Sequence, residues 1–158
     1  MVELRKITIL DDNMKDCIAL DVAPEKKGSI WSNAITLAVA YSRGKVMECR
    51  SIHVHGEMVG LISYNHFVES SDFKETCYRI RPVMIDKNQL GKGYEEVALR
   101  QLLKEVQTKP HGEATAIFAT YAPEEDDMAK LYEKAGFTKT GMKWQDPDND
   151  NIIVRMGL

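Results

Sequence analysis

Residues 84–96 read Met84-Ile85-Asp86-Lys87-Asn88-Gln89-Leu90-Gly91-Lys92-Gly93-Tyr94-Glu95-Glu96. An apolar strand ending at Asp86, a polar loop with two glycines and a helix opening at Tyr94 are predicted in immediate succession. Successive backbone amides at such a junction point outward, and the helix N-terminus adds partial positive charge. The glycines let a ligand approach the backbone closely. The chemistry suits a diphosphate, with Lys92 as added charge. An ordinary polar turn is the plainer alternative. The spacing matches neither a Walker loop nor a dinucleotide fingerprint.

Outward from this junction, apolar spacing predicts a helix over residues 94–107, with Val97, Leu99, Leu102, Leu103 and Val106 on or near one face. A strand over 115–121 follows, then a helix opened by Pro123 and closed by Gly136. Two closing strands, 137–144 and 151–156, flank the turn residues Asp146-Pro147-Asp148-Asn149-Asp150. Upstream, residues 47–54, 58–67 and 76–86 are rich in β-branched and aromatic residues and read as strands. His55-Gly56-Glu57 joins the first two as a tight hairpin, and Pro82 predicts a bulge or lost pairing in the third. At the start, a strand over 2–9 is followed by Asp11-Asp12-Asn13 as cap of a short helix over 14–20, which the run Pro24 to Gly28 breaks. Ser29 is the expected cap of a second helix reaching Tyr41, burying Ile30, Ala34, Leu37, Ala38 and Tyr41. The element order β-α-α-β-β-β-α-β-α-β-β implies a mixed sheet with helices on its faces.

The chain has 158 residues, 44% of them hydrophobic and 28% charged, enough for a packed core in one domain. A net charge of −3 argues against nucleic acid or anionic membrane as the main partner. Cys17, Cys49 and Cys77 are odd in number and lack metal-type spacing, which fits a reducing cytoplasm and neither disulfides nor structural zinc. No long apolar run is present and acids come early, so neither a transmembrane helix nor a signal peptide is expected.

Several single residues could carry chemistry. Tyr132, near the end of the last helix, could protonate a departing thiolate, since a phenol's pKa of ~10 lies above that of a thiol; packing is the plainer role. His53 and His55 share the face of a strand but lack a third ligand, so solvated histidines are expected and no metal. Cys77 reads as a small buried hydrophobe, the 124–127 carboxylate run as a solvated helix start that could attract a polycation, and Trp31 as core. Glu75 and Tyr78 could join a proton path only through their strand position.

Gly91-Lys92-Gly93-Tyr94 after Met84-Ile85-Asp86, with Leu131-Tyr132-Glu133-Lys134-Ala135-Gly136-Phe137 one strand-helix unit later, resembles the GNAT superfamily of acetyl-CoA-dependent N-acetyltransferases. Residues 33–41 and Met58-Val59-Gly60-Leu61-Ile62 resemble its small bacterial spermine/spermidine (diamine) branch. The resemblance covers essentially the whole chain and implies a mixed, mostly antiparallel α/β sheet of about seven strands. Helices cover both faces, and the sheet splays near Asp86 and Tyr121 into an acetyl-CoA cleft. It further implies that backbone groups of Val83, Met84 and Ile85 pair with the pantetheine arm. Residues 91–96 (Gly91, Lys92, Gly93, Tyr94, Glu95, Glu96) would receive the pyrophosphate, and Tyr132 would be the general acid.

The family's phosphate loop reads Gln/Arg-x-x-Gly-x-Gly/Ala, whereas Leu90 and Glu95 stand at its ends here. Glu125 and Met128 stand where Asn and Ala usually precede the tyrosine. Each carboxylate near the cofactor would oppose it by on the order of 1 kcal/mol. Two functions remain: an N-acetyltransferase acting on a small-molecule primary amine such as a polyamine, cytoplasmic and possible as a homodimer, or a degenerate relative that binds acyl-CoA or a partner without turnover.

Overall fold

The computed structural model describes residues 1–7, 13–27, 30–67, 73–146 and 149–158. Strands Val2–Lys6 (β1), Met47–Val54 (β2) and Glu57–Phe67 (β3) form an antiparallel run. His55 (φ 52) and Gly56 (φ 86) make the β2–β3 turn. Two consecutive positive φ values give a primed turn, whose twist matches that of the strands.

The decisive irregularity follows. Strand Cys77–Ile80 (β4) pairs antiparallel with β3 through Tyr64↔Ile80, and the short strand Met84–Ile85 (β5) pairs with β3 through Leu61↔Met84. Between these pairs, Ile62 and Ser63 face three residues, Arg81, Pro82 and Val83. The extra residue is a β-bulge, which bends the strand and interrupts its ladder. Pro82, which cannot donate a hydrogen bond, sits inside it. Thus the expected single strand over 76–86 is two strands.

On its other side β4 pairs in parallel with Ala116–Tyr121 (β6), but only as far as Ile80↔Ala119. β6 continues with Thr120 and Tyr121 paired on its far edge to Asn149–Gly157 (β8), and Thr138–Asp146 (β7) closes the sheet. The order is β1-β2-β3-β4-β6-β8-β7, with β5 on β3, so a gap opens between β5 and the end of β6.

Helices Tyr94–Val106 (α3) and Asp126–Ala135 (α4) cover one face. α3 buries Ala98, Leu99, Leu102, Leu103 and Val106, a helical spacing worth roughly 1.5–3 kcal/mol per large side chain. Asn13–Ala19 (α1) and Asn33–Arg43 (α2) lie on the other face, where Cys17, Val22, Met58, Leu61 and Met84 form a smaller core. Asn33 Nδ2 donates to Cys17 O at 2.7 Å and joins the two helices.

Several expectations need correction. α2 starts later and its cap is Ser32, whose hydroxyl accepts from Ile35 N. It buries Asn33 and Thr36, whereas Ala34, Ala38 and Tyr41 are exposed. The true inward stripe, with half-buried Leu37 and Ala40, is offset from the apolar one because polar Asn33 is recruited as the α1 tie. Trp31 is not core but 46% exposed, and Val97 points to solvent. Pro123 lies in a turn before α4, which starts at Asp126. β7 and β8 extend into the expected 146–150 turn as far as Asp146↔Asn149. The first strand ends at Lys6, and Ile9, Asp11, Asp12, Gly28, Ser29, Pro147 and Asp148 lie outside the described residues.

Candidate active site

The loop after β5 is held from below. Asp86, itself buried, accepts from Asp21 N (2.9 Å), Asn88 N (2.9 Å) and Asn88 Nδ2 (3.0 Å). Burial opposes its charge, yet these donors hold its carboxyl below the usual range. Lys87 adds a backbone bond to Asp21 O and an ion pair to its carboxylate at 3.0 Å. Asp86 thereby tethers the loop to the segment after α1.

Gly91 (φ 73) and Gly93 (φ 74) are left-handed, and a Cβ on either would meet nothing within 4 Å. Space above both glycines is therefore open. The amides of Leu90, Gly91, Lys92 and Gly93 have no backbone acceptor among the described residues. Gly93 caps α3 without a side chain, so the helix's first amides also face outward. Lys92 is exposed, donates to Gln89 Oε1 at 2.6 Å and stands 6.0 Å over the Tyr94 ring. Glu96 is turned away, paired with Arg100 (3.0 Å) and Lys134 of α4 (2.7 Å), while Glu95 is half-buried in the first turn.

Asp86 N donates to Val59 O at 2.8 Å, so antiparallel alternation turns the backbone groups of Met84 toward β3 and those of Val83 and Ile85 toward the gap. The gap thus has an open strand edge. Gly60 makes this closeness possible, because a Cβ there would lie 2.3 Å from Met84 O.

Across the gap, α4 places Tyr132 beside Tyr121 (ring centroids 6.1 Å) and Phe137 (5.4 Å). Tyr132 is 0% exposed and its hydroxyl has no hydrogen-bond partner among the described residues. Burial first, then the charge of Glu125, raise its pKa well above the phenol range, while Arg79 pulls the other way. The phenol therefore keeps its proton at neutral pH. Glu125 Oε2 accepts from Ala122 N at 3.0 Å, which fixes this carboxylate at the β6–α4 turn.

The other sequence candidates lie apart. His53 is buried and bonds Ser51 Oγ and Gly56 O, whereas His55 is in the turn, so they are neither solvated together nor on one face. Among the described residues no cluster suits a metal ion. Burial pushes the Cys77 thiol up to about 12, leaving it inert near neutrality. Glu75 is paired with Arg155 (2.9 Å), and Tyr78 donates to Gly112 O while accepting from His111 N. Glu124, Asp126 and Asp127 are exposed at the start of α4.

Sequence reasoning missed Arg79, Arg81, Asn65 and Thr120, which share the α1/α2 side of the sheet, with Arg81 and Thr120 standing where the β4–β6 pairing ends. Arg79 donates to Thr120 Oγ1 at 3.3 Å, and Arg81 lies over the Trp31 ring at 4.4 Å. The alternation Cys77-Tyr78-Arg79-Ile80-Arg81, two arginines on one strand face, was the available signal.

Comparison with known proteins agrees with this geometry. Residues 21–137 match the model of the acetyltransferase (GNAT) family. No curated protein matches the chain in sequence. Among solved structures, the aminoglycoside acetyltransferase AAC(6')-Ib with coenzyme A superposes with TM-score 0.74 at 20% identity, covering 99% of this chain and 95% of that one. Ribosomal-protein-alanine N-acetyltransferase from Brucella melitensis gives 0.74 at 18%, covering 99% of both. Spermidine N-acetyltransferase from Vibrio cholerae, in complex with CoA and spermine, gives 0.73 at 14%, covering 99% and 95%. No helix of the described residues is long and apolar enough to cross a membrane.

Proposed function

The chain belongs to the acetyltransferase (GNAT) family, and from that premise we propose that it moves an acetyl group from acetyl-CoA directly to a small-molecule primary amine, within one domain over residues 1–158. The observation that carries this reading is the Tyr132 hydroxyl, fully buried beside the gap and without a hydrogen-bond partner among the described residues. A buried hydroxyl ordinarily finds a hydrogen bond, and here a ligand entering the gap would supply one.

The residues present fit acetyl-CoA as co-substrate. Amides of residues 90–96 and the α3 N-terminus would hold its pyrophosphate, with Lys92 alongside. The free backbone groups of Val83 and Ile85 would bond the pantetheine arm as an added strand, with Met84 anchoring that strand to β3. Acetyl-CoA supplies an activated thioester carbonyl. Once a base or water chain has taken its proton, the amine nitrogen forms the new bond to that carbonyl carbon as the carbon–sulfur bond breaks. Tyr132 gives its proton to the leaving sulfur and regains one from solvent. Holding amine and thioester together across the gap supplies much of the acceleration.

For a polyamine acceptor the support is the exposed carboxylates Glu124, Asp126 and Asp127 and the likeness to the spermidine enzyme. The cations on the α1/α2 side favour a different acceptor. The test is a thiol-release assay with acetyl-CoA across polyamines, amino sugars and amino acids. Amine-dependent release of free thiol is expected. Tight acetyl-CoA binding with no acetylated product would overturn turnover and leave an acyl-CoA-binding module.

A further inference from the structure

On the sheet face turned toward α1 and α2, Ser63 and Asn65 of β3, Arg79 of β4, Arg81 of the bulge and Thr120 of β6 form a polar stripe. It runs between two apolar clusters, one around Leu61 and Met84, the other around Cys77 and Phe118. The stripe ends at the gap, because Ile80↔Ala119 is the last β4–β6 pair and Arg81 and Thr120 follow it.

Two members lack the partners their burial calls for. Asn65 is 0% exposed, and neither its amide nitrogen nor its oxygen has a hydrogen-bond partner among the described residues. Arg81 has a buried Nε without an acceptor, and among the described residues its guanidinium has no carboxylate partner, only the Trp31 ring. Burial first, then the like charges of Arg79 and Arg43, lower its pKa to about 10. A half-buried cation facing other cations is unfavourable unless something anionic joins it.

We infer that this stripe binds an anionic group of the acceptor, so that the amine acetylated here also carries a carboxylate. The inference rests on the acetyltransferase reading and narrows its substrate. A guanidinium fork matches the planar carboxylate in geometry, and the Asn65 amide offers a further donor. A polycationic polyamine or amino sugar would meet repulsion from Arg79 and Arg81 at the same place. Trp31 stacking alone accounts for neither the orphaned Asn65 amide nor the convergence of like charges. The stripe's position at the gap puts a carboxylate held there beside the thioester end of the cleft, where the amine must react.

The test uses matched amines with and without the carboxylate: L-alanine against ethylamine, L-lysine against cadaverine, and the dipeptide Ala-Ala against its C-terminal amide. In at least one pair the carboxylate form should have kcat/KM about tenfold to a hundredfold higher, the worth of one charge-assisted contact. Arg81→Gln should erase that preference through acceptor KM, and Arg81→Lys should retain part of it. The melting temperature of Arg81→Gln should not fall, since a half-buried cation without a carboxylate partner among the described residues is removed. Should no amine react, the transferase reading fails, and calorimetry with the same pairs in the presence of coenzyme A decides the inference. Carboxylate-dependent binding lost in Arg81→Gln supports it. Equal handling of both members in all three pairs, or a preference untouched by Arg81→Gln, overturns it.

Discussion

Ile80 and Ala119 are the last residues at which β4 and β6 remain paired. Beyond them Pro82 and the bulge steer the chain back onto β3, while β6 runs straight on to Tyr121. The site arises from this divergence. One wall keeps the free backbone of Val83 and Ile85, the other brings Tyr121 and Tyr132, and the glycine loop stands at the exit.

Tyr132→Phe separates chemistry from packing. The ring and its contacts to Tyr121 and Phe137 stay, and only a hydroxyl that has no hydrogen-bond partner among the described residues is lost. We expect kcat to fall ~10²–10⁴-fold with acetyl-CoA affinity nearly intact. Thermal melting should hold or rise, because an unsatisfied buried group is removed. Unchanged turnover would remove Tyr132 from the reaction.

Gly93→Val should weaken coenzyme A binding. Nothing crowds a Cβ there, so the cause is backbone: φ of 74 is strained for a β-branched residue, and its side chain would cover the amides. Calorimetry giving parental affinity would exclude the loop.

Gly60→Ala addresses the cleft wall. Its Cβ would press on Met84 O at 2.3 Å and on the Ile85 side chain at 2.8 Å. The predicted loss is about 1–3 kcal/mol in denaturant unfolding, accompanied by weaker acetyl-CoA binding as β5 shifts. A stable variant with normal binding would mean that β5 need not sit tightly on β3.

Glu95→Gln should tighten coenzyme A binding at low salt and lose the advantage at high salt, as screening dictates. Glu96→Gln, whose parent carboxylate is paired with Arg100 and Lys134, should not show this gain. Identical affinities for Glu95→Gln and the parent at all salt concentrations would mean that Glu95 points away from the cofactor.

Asp86 predicts a pH effect on stability. Its folded pKa is depressed, so its contribution is complete above the unfolded carboxyl value near 3.8 and is lost as pH falls through the folded value. Asp86→Asn should lower the melting temperature at pH 7 and flatten the acid limb of the melting curve below about pH 4. Parallel curves for the two proteins would show that the tether contributes nothing through its charge.

Much of the architecture was legible locally. Residues 47–54 and 58–67 are rich in β-branched and aromatic residues on either side of a tight turn, α3 repeats its apolar positions on one face, and Gly136 (φ 101) ends α4 where a left-handed residue was expected. These follow from backbone sterics and side-chain periodicity, which act over a few residues. The α2 face was misread because the apolar pattern there competes with Asn33, whose partner Cys17 O comes from another helix.

The sequence by itself determined the glycine loop, the phenol near the end of the last helix and the proline that interrupts the cleft strand. Only the tertiary structure decided which backbone groups are left unpaired, because the bulge register is set by three residues of one strand facing two of another. Only it could bring Arg79, Arg81, Asn65 and Thr120 together from three strands, or show that among the described residues the Arg81 Nε and the Tyr132 hydroxyl find no hydrogen-bond partner. Burial and pairing are properties of neighbours distant along the chain, and no local pattern encodes them.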